Sequence, residues 1–387
     1  LENGENGNER RETGFVLLTG MTVAMVGLIG SGAAGYDRHL SSEEAPDIVS
    51  LPVSALFVMG DSSVDCGDNT LFYTFLHRNF SLHPCNGSDS TLIPNLLAKK
   101  MGLPEAPGFY RQNGTIEGLL AGLNFGASQA TIMNLGPHPN HQSLDQQLRQ
   151  AMETFQLLLL RLGQSPASRF IAASLFVVSF GRDDYISFLS SAASPSALGG
   201  GGFAGVLVNR LSAALRDLYE AKVRRAVVVG VLPLGCAPHV VWRWRNSTGR
   251  EGCVGGVNEA VRDYNRRLER RVEELNQEMP DAQLVFCDVY QGMMAAISNH
   301  THYGFEEARE ACCGVGWLGG MGGCAASSMA CRRWWSHVWW DMYNPSPAVN
   351  ALLAESAWGG ATPLPRICRP VTVHQLLSMS ASFPGRV

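Results

Sequence analysis

Residues 56–65 read Leu56-Phe57-Val58-Met59-Gly60-Asp61-Ser62-Ser63-Val64-Asp65. An unbroken apolar run, Ser54–Met59 with its lead-in, gives way to glycine, acid and serine. A run this short, without alternation, reads as a strand buried on both faces. Gly60 permits a tight exit from it, which puts Ser62 at the strand's carboxyl edge. In an open α/β sheet, ligands sit there. Four similar runs follow at Leu123–Phe125, Ser174–Phe180, Ala226–Val231 and Gln283–Val289. Amphipathic helices separate them. Leu144, Leu148, Met152, Phe155 and Leu159 form one apolar stripe, Val206, Leu211, Leu215 and Leu218 a second. Val261, Tyr264, Leu268, Val272 and Leu275 form a third, within a charged helix from Val257 to Met279. Strand–helix alternation of this kind predicts a three-layer α/β/α sandwich, with a central parallel sheet of about five strands and right-handed crossovers.

The composition fits this reading. The chain has 387 residues, 45% hydrophobic and 17% charged, with a net charge of −4. That is enough to bury a large core, and it excludes collagen, a coiled coil or a wholly disordered chain. No basic field exists to hold a polyanion, so nucleic acid is not an expected partner.

Residues 1–35 hold Arg10 and Arg11 ahead of a charge-free apolar stretch that ends in small residues. They read as a signal peptide or a signal anchor, with 36–52 as a linker. A membrane is a partner only if that segment is retained as an anchor. The expected location is extracellular, with the endoplasmic reticulum or a membrane anchor as the alternative. Sequons at Asn79, Asn86, Asn113, Asn246 and Asn299 agree with secretion. So do ten cysteines, an even set that reads as disulfides in an oxidising compartment. Cys236 and Cys253 are spaced to close a short loop. A zinc site at Cys312, Cys324 and Cys331 is the rival reading, and the absence of CxxC pairs speaks against it. No metal and no organic cofactor is implied.

In order along residues 53–360, the chain resembles the plant GDSL lipase/esterase family of the SGNH hydrolases. The resemblance rests on residues 56–65, on Ile93-Pro-Asn-Leu-Leu-Ala98 leading to Gly102-Leu-Pro104, and on Gly122-Leu-Asn-Phe125. It continues through Phe180-Gly-Arg-Asp-Asp-Tyr185 and Leu232-Pro-Leu-Gly-Cys236, and ends in Cys312-Cys313-Gly with Trp340-Asp-Met-Tyr-Asn-Pro345. It implies the SGNH-hydrolase (flavodoxin-like) fold over 53–360, leaving 361–387 as a surface tail. It also implies serine hydrolysis of carboxylic esters, with an ester lipid or acylated glycan as substrate. Ser62 falls on the nucleophile and Asp341 on the acid that orients the histidine.

Three positions depart from that pattern. The histidine position is Asn344, and an amide cannot take the serine's proton near pH 7. The oxyanion asparagine is Asp183. A carboxylate about 4 Å from a forming oxyanion costs about 4 kcal/mol at an effective dielectric of ~20, roughly a thousandfold in rate. Protonation, or pairing with Arg182, would soften that cost. The oxyanion glycine falls on Gln129, or on Gly126 if the register shifts. His337 is the best substitute base; His239, His300 and His302 are weaker ones. Two readings follow: an ester hydrolase with a degenerate triad and oxyanion hole, or a catalytically dead member that binds a lipid, glycan or protein. Tryptophans at 334, 335, 339 and 340, and at 242 and 244, serve either as packing or as an aromatic platform.

Overall fold

The computed structural model describes residues 53–66, 69, 91–133, 142–192, 194, 201–247, 252–324 and 327–379. The proposed leader and linker, and the sequons at Asn79 and Asn86, lie outside them. The core is a six-stranded sheet of order β2-β1-β3-β4-β5-β8. Its strands are β1 (Leu56–Gly60), β2 (Gly122–Asn124), β3 (Leu175–Ser179), β4 (Arg225–Val229), β5 (Gln283–Cys287) and β8 (Cys368–Arg369). The first five pair in parallel, in the places the apolar runs predict. Every residue of β1, β3 and β4 is buried, which is why those runs show no alternation.

Helices cover the sheet at Ile93–Met101, Leu144–Leu162, Gly202–Glu220, Gly255–Glu278 and Pro347–Trp358. Phe57 fixes the centre. Its ring stacks on Phe125 and Phe176 and meets Phe155 and Phe170 edge-on. Burying one such ring stabilises the fold by about 1.5–3 kcal/mol. A small second sheet, β6 (Glu307–Ala311) with β7 (His337–Trp339), carries the segment that leads into Asp341. Among the described residues, no helix is long and apolar enough to cross a membrane.

Residues 361–379 correct the expectation of a surface tail. β8 pairs antiparallel with β5, and Cys368 is disulfide-bonded to Cys287. The helix Val373–Ser378 then buries Val373, Leu376 and Leu377. A two-residue strand is too short to display a period, and cystine partners are not readable from spacing.

Cys236–Cys253 closes the short loop that its spacing suggests. Cys312–Cys331 and Cys313–Cys324 staple the segment between β6 and β7. Sulfurs bonded to each other offer no thiolate, so Cys312, Cys324 and Cys331 form no zinc set. Of the tryptophans, Trp339 and Trp340 are core, while Trp334 and Trp335 are exposed and packed edge-on against each other.

Candidate active site

β1 delivers Ser62 to the sheet edge because its last residue is glycine. A Cβ at Gly60 would lie 2.4 Å from the Ser179 carbonyl oxygen. Gln147, fully buried, clamps the same residue: its Oε1 accepts from Gly60 N–H and its Nε2 donates to Gly60 O, both at 2.8 Å. Sequence reading missed Gln147, since nothing in an amphipathic stripe marks a buried amide as a clamp.

The loop after β2 is tied down at both ends. Asp65 accepts from Ser128 N–H, and Asn124 Oδ1 from Gly126 N–H. Asp184 accepts from the backbone N–H groups of Ile132 and Met133. Burial pushes the Asp184 carboxyl up to about 6, against those bonds. The N–H groups at the two positions left open by sequence, 126 and 129, have different partners. The Gln129 N–H donates to Ser62 Oγ at 2.9 Å, whereas the Gly126 N–H is spent on Asn124. Gln129 holds φ at 63°, a left-handed conformation that favours glycine and costs a larger residue about 1 kcal/mol.

Ser62 Oγ–H donates to Asp183 Oδ2 at 2.5 Å, and Ser62 N–H donates to the same oxygen at 2.9 Å. Asp183 opens the helix Arg182–Ser191, which leaves β3 through Gly181 at φ 110°. A Cβ at 181 would lie 2.8 Å from the Tyr264 ring. Asp61 lies beneath, accepting from the N–H groups of Ser63 and Asp183. Burial first, and the neighbouring Asp183 second, push the Asp61 carboxyl up to about 7; Arg182 and the Ser63 bonds work against them.

Asn344 and Asp341 meet as a pair. Asn344 Nδ2 donates to both Asp341 oxygens, at 2.9 and 2.8 Å. Asn344 Oδ1 accepts from the Arg182 guanidinium at 2.6 Å, and the same Arg182 nitrogen reaches Ser62 O at 3.3 Å. The other side of that guanidinium faces Asp183, Nε to Oδ1 at 3.8 Å. One polar chain therefore runs Asp341–Asn344–Arg182–Asp183–Ser62. Arg182 is 5% exposed, and it was read from sequence only as a partner for Asp183. Its link to Asn344 crosses 162 residues and leaves no mark in local sequence.

His337 is not brought to Ser62. Its ring sits on β7 against Cys331 Sγ and the Arg333 carbonyl. His239 packs its ring on Trp242 and Tyr343, with Nδ1 on the Gly320 carbonyl. Among the described residues, no histidine lines the pocket beside Ser62. That pocket holds about 760 Å³ of empty space, counting its open mouth. Val64, Ile93, Phe180, Val231, Leu232 and Leu353 form much of its wall, and Ser62, Arg182 and Asn344 its polar end.

The buried Asp61 makes stability depend on pH. The folded form holds its proton up to about 7, whereas an unfolded aspartate releases it near 4. Its contribution is therefore full below about 4 and is lost as pH rises through 7. Asp61→Asn has no proton to lose. Urea midpoints at pH 5 and pH 8 are expected to differ less in that variant than in the parent. Equal differences would refute the buried-proton assignment.

Residues 56–357 match the family model described as GDSL-like lipase/acylhydrolase. A GDSL esterase/lipase of Arabidopsis thaliana is 28% identical, covering 94% of this chain and 96% of the relative. A second from the same plant is 30% identical, covering 83% and 87%. Among solved structures, phospholipase A1 from Streptomyces albidoflavus aligns with a TM-score of 0.37 at 14% identity, covering 77% of this chain and 95% of that one.

Proposed function

Because the chain belongs to the GDSL lipase/acylhydrolase family, we propose that it keeps the family's acyl-binding cleft but hydrolyses esters at a residual rate only. One observation carries this reading: a single carboxylate oxygen of Asp183 stands where the oxyanion would form and holds both hydrogen-bond donors of Ser62. In ester hydrolysis the serine N–H must be free to hold the developing oxyanion. A proton acceptor must also stand where it can return the proton to the leaving alcohol. Asp183 occupies the first place and so cannot serve in the second. Asn344, in the histidine position, has its amide hydrogens on Asp341 and its oxygen on Arg182. Loss of an oxyanion donor costs roughly 10²–10³ in rate, and loss of the base roughly 10²–10⁴.

The substrate class the cleft suits is an acyl ester, with its chain against the apolar wall and its carbonyl toward Ser62. Four cystine bridges among the described residues, and the exposed sequon residues Asn113, Asn246 and Asn299, support a secreted glycoprotein. The test is hydrolysis of p-nitrophenyl butyrate by the oxidised protein beside Ser62→Ala. The expected result is a rate within about tenfold of the variant's, set against the 10³–10⁴-fold that a disabled triad still gives over water. A parent rate a thousandfold above Ser62→Ala would overturn the proposal.

A further inference from the structure

Taking the acyl-binding reading of this cleft as given, we propose that Asn350 is a specificity-determining residue, which makes the pocket favour acyl chains that stop short of it over longer saturated ones. The helix Pro347–Trp358 places it. Pro347, Asn350 and Leu353 all line the pocket beside Ser62, and they recur at i, i+3 and i+6. Residues at that spacing share one face of a helix. Asn350 therefore projects into the pocket between a proline and a leucine, about 4.5 Å along the axis from each. The helix Ile93–Met101 packs against this one and adds Ile93 and Pro94 to the same wall. An amide in this apolar stripe is out of place.

That amide is also uncommitted. Asn350 is 6% exposed. Its backbone N–H donates to Ser346 O, but among the described residues its side chain has no hydrogen-bond partner. The fold seals several unpartnered side-chain atoms away from all open space, and those of Asn350 are not among them. The space its amide reaches is therefore the pocket. While water can reach it there, the amide costs the fold little. A saturated chain laid over it removes the water and supplies neither donor nor acceptor. An amide so deprived lowers affinity roughly tenfold to a hundredfold. Each methylene buried raises affinity about fourfold. The penalty thus cancels the gain from about two or three methylenes. A chain that ends before Asn350 keeps its gain and avoids the penalty.

Calorimetric titration at neutral pH with methyl butanoate, hexanoate, octanoate and decanoate tests this. In the parent, affinity is expected to climb roughly tenfold or more for each two-carbon step except one, where it stays flat or falls. Asn350→Leu replaces the amide by an apolar side chain that is no smaller, so a gain from it is not extra room. Its decanoate-to-butanoate affinity ratio is expected to be roughly tenfold or more above the parent's. The ratio is taken within one protein, so a partly folded variant still reports it. A uniform climb in the parent, or an unchanged ratio in the variant, would overturn the proposal while leaving an acyl-binding cleft in place. Failure of all four esters to bind the parent would overturn both.

Discussion

Asn344→His alone is expected to leave p-nitrophenyl butyrate hydrolysis at the parent's level, whereas Asp183→Asn together with Asn344→His is expected to raise it by roughly 10³-fold or more. The reason is the chain that runs from Asp341 to Ser62. A histidine at 344 can still be oriented by Asp341. It must, however, displace the Arg182 contact that Asn344 now accepts. It also meets a serine whose N–H and O–H are both held by Asp183. Exchanging Asp183 for asparagine frees those two groups and offers an amide donor to the oxyanion. It also removes the charge that Arg182 faces. The two changes therefore act as a unit and should be strongly non-additive, as groups of one catalytic site are. Adding Ser62→Ala to the double variant should abolish the gain. A large gain from Asn344→His alone would show that Asp183 is no obstacle.

Replacing Cys287 and Cys368 together by alanine is expected to cost about 4 kcal/mol of stability, the chain-entropy value for a bridge across 81 residues. This bridge matters more than the three short ones, which span 17, 19 and 11 residues. Both sulfurs are buried, and the bond carries β8 onto the edge of the sheet beside β5. Urea midpoints of the parent and the double variant measure it. A loss below about 1 kcal/mol would mean that β8 and the helix Val373–Ser378 are held by packing alone.

The parallel sheet was legible because its strands are apolar on both faces, and the long helices because their stripes repeat over several turns. Ser62, Asp341 and the three departures at Asn344, Asp183 and Gln129 were legible through ordered motifs. What those motifs could not show was compensation. Arg182 bridges two of the departures across the sheet's edge, a contact between residues 162 positions apart. Without it, Asn344 and Asp183 look like independent losses; with it, they form one satisfied network around a buried cation. Gln147 and Asp61 were silent for a similar reason. Gln147 clamps the distant backbone of Gly60, and Asp61 accepts from the distant Asp183 N–H as well as from neighbouring Ser63 N–H; such long-range partners are set by the fold. The C-terminal strand failed for want of length, since two residues carry no period. His337 was favoured by nearness to Asp341 in sequence, but β7 aims it at Cys331.

Labelling by a fluorophosphonate probe, read by intact mass, tests the central claim most directly, because the reagent reports whether Ser62 is a working nucleophile and needs no knowledge of the substrate. The folded, oxidised parent is expected to remain unlabelled at Ser62, while the Asp183→Asn/Asn344→His variant takes up one adduct there. Stoichiometric labelling of Ser62 in the parent would contradict the account, and would mean that Asp183 and Asn344 leave the serine active.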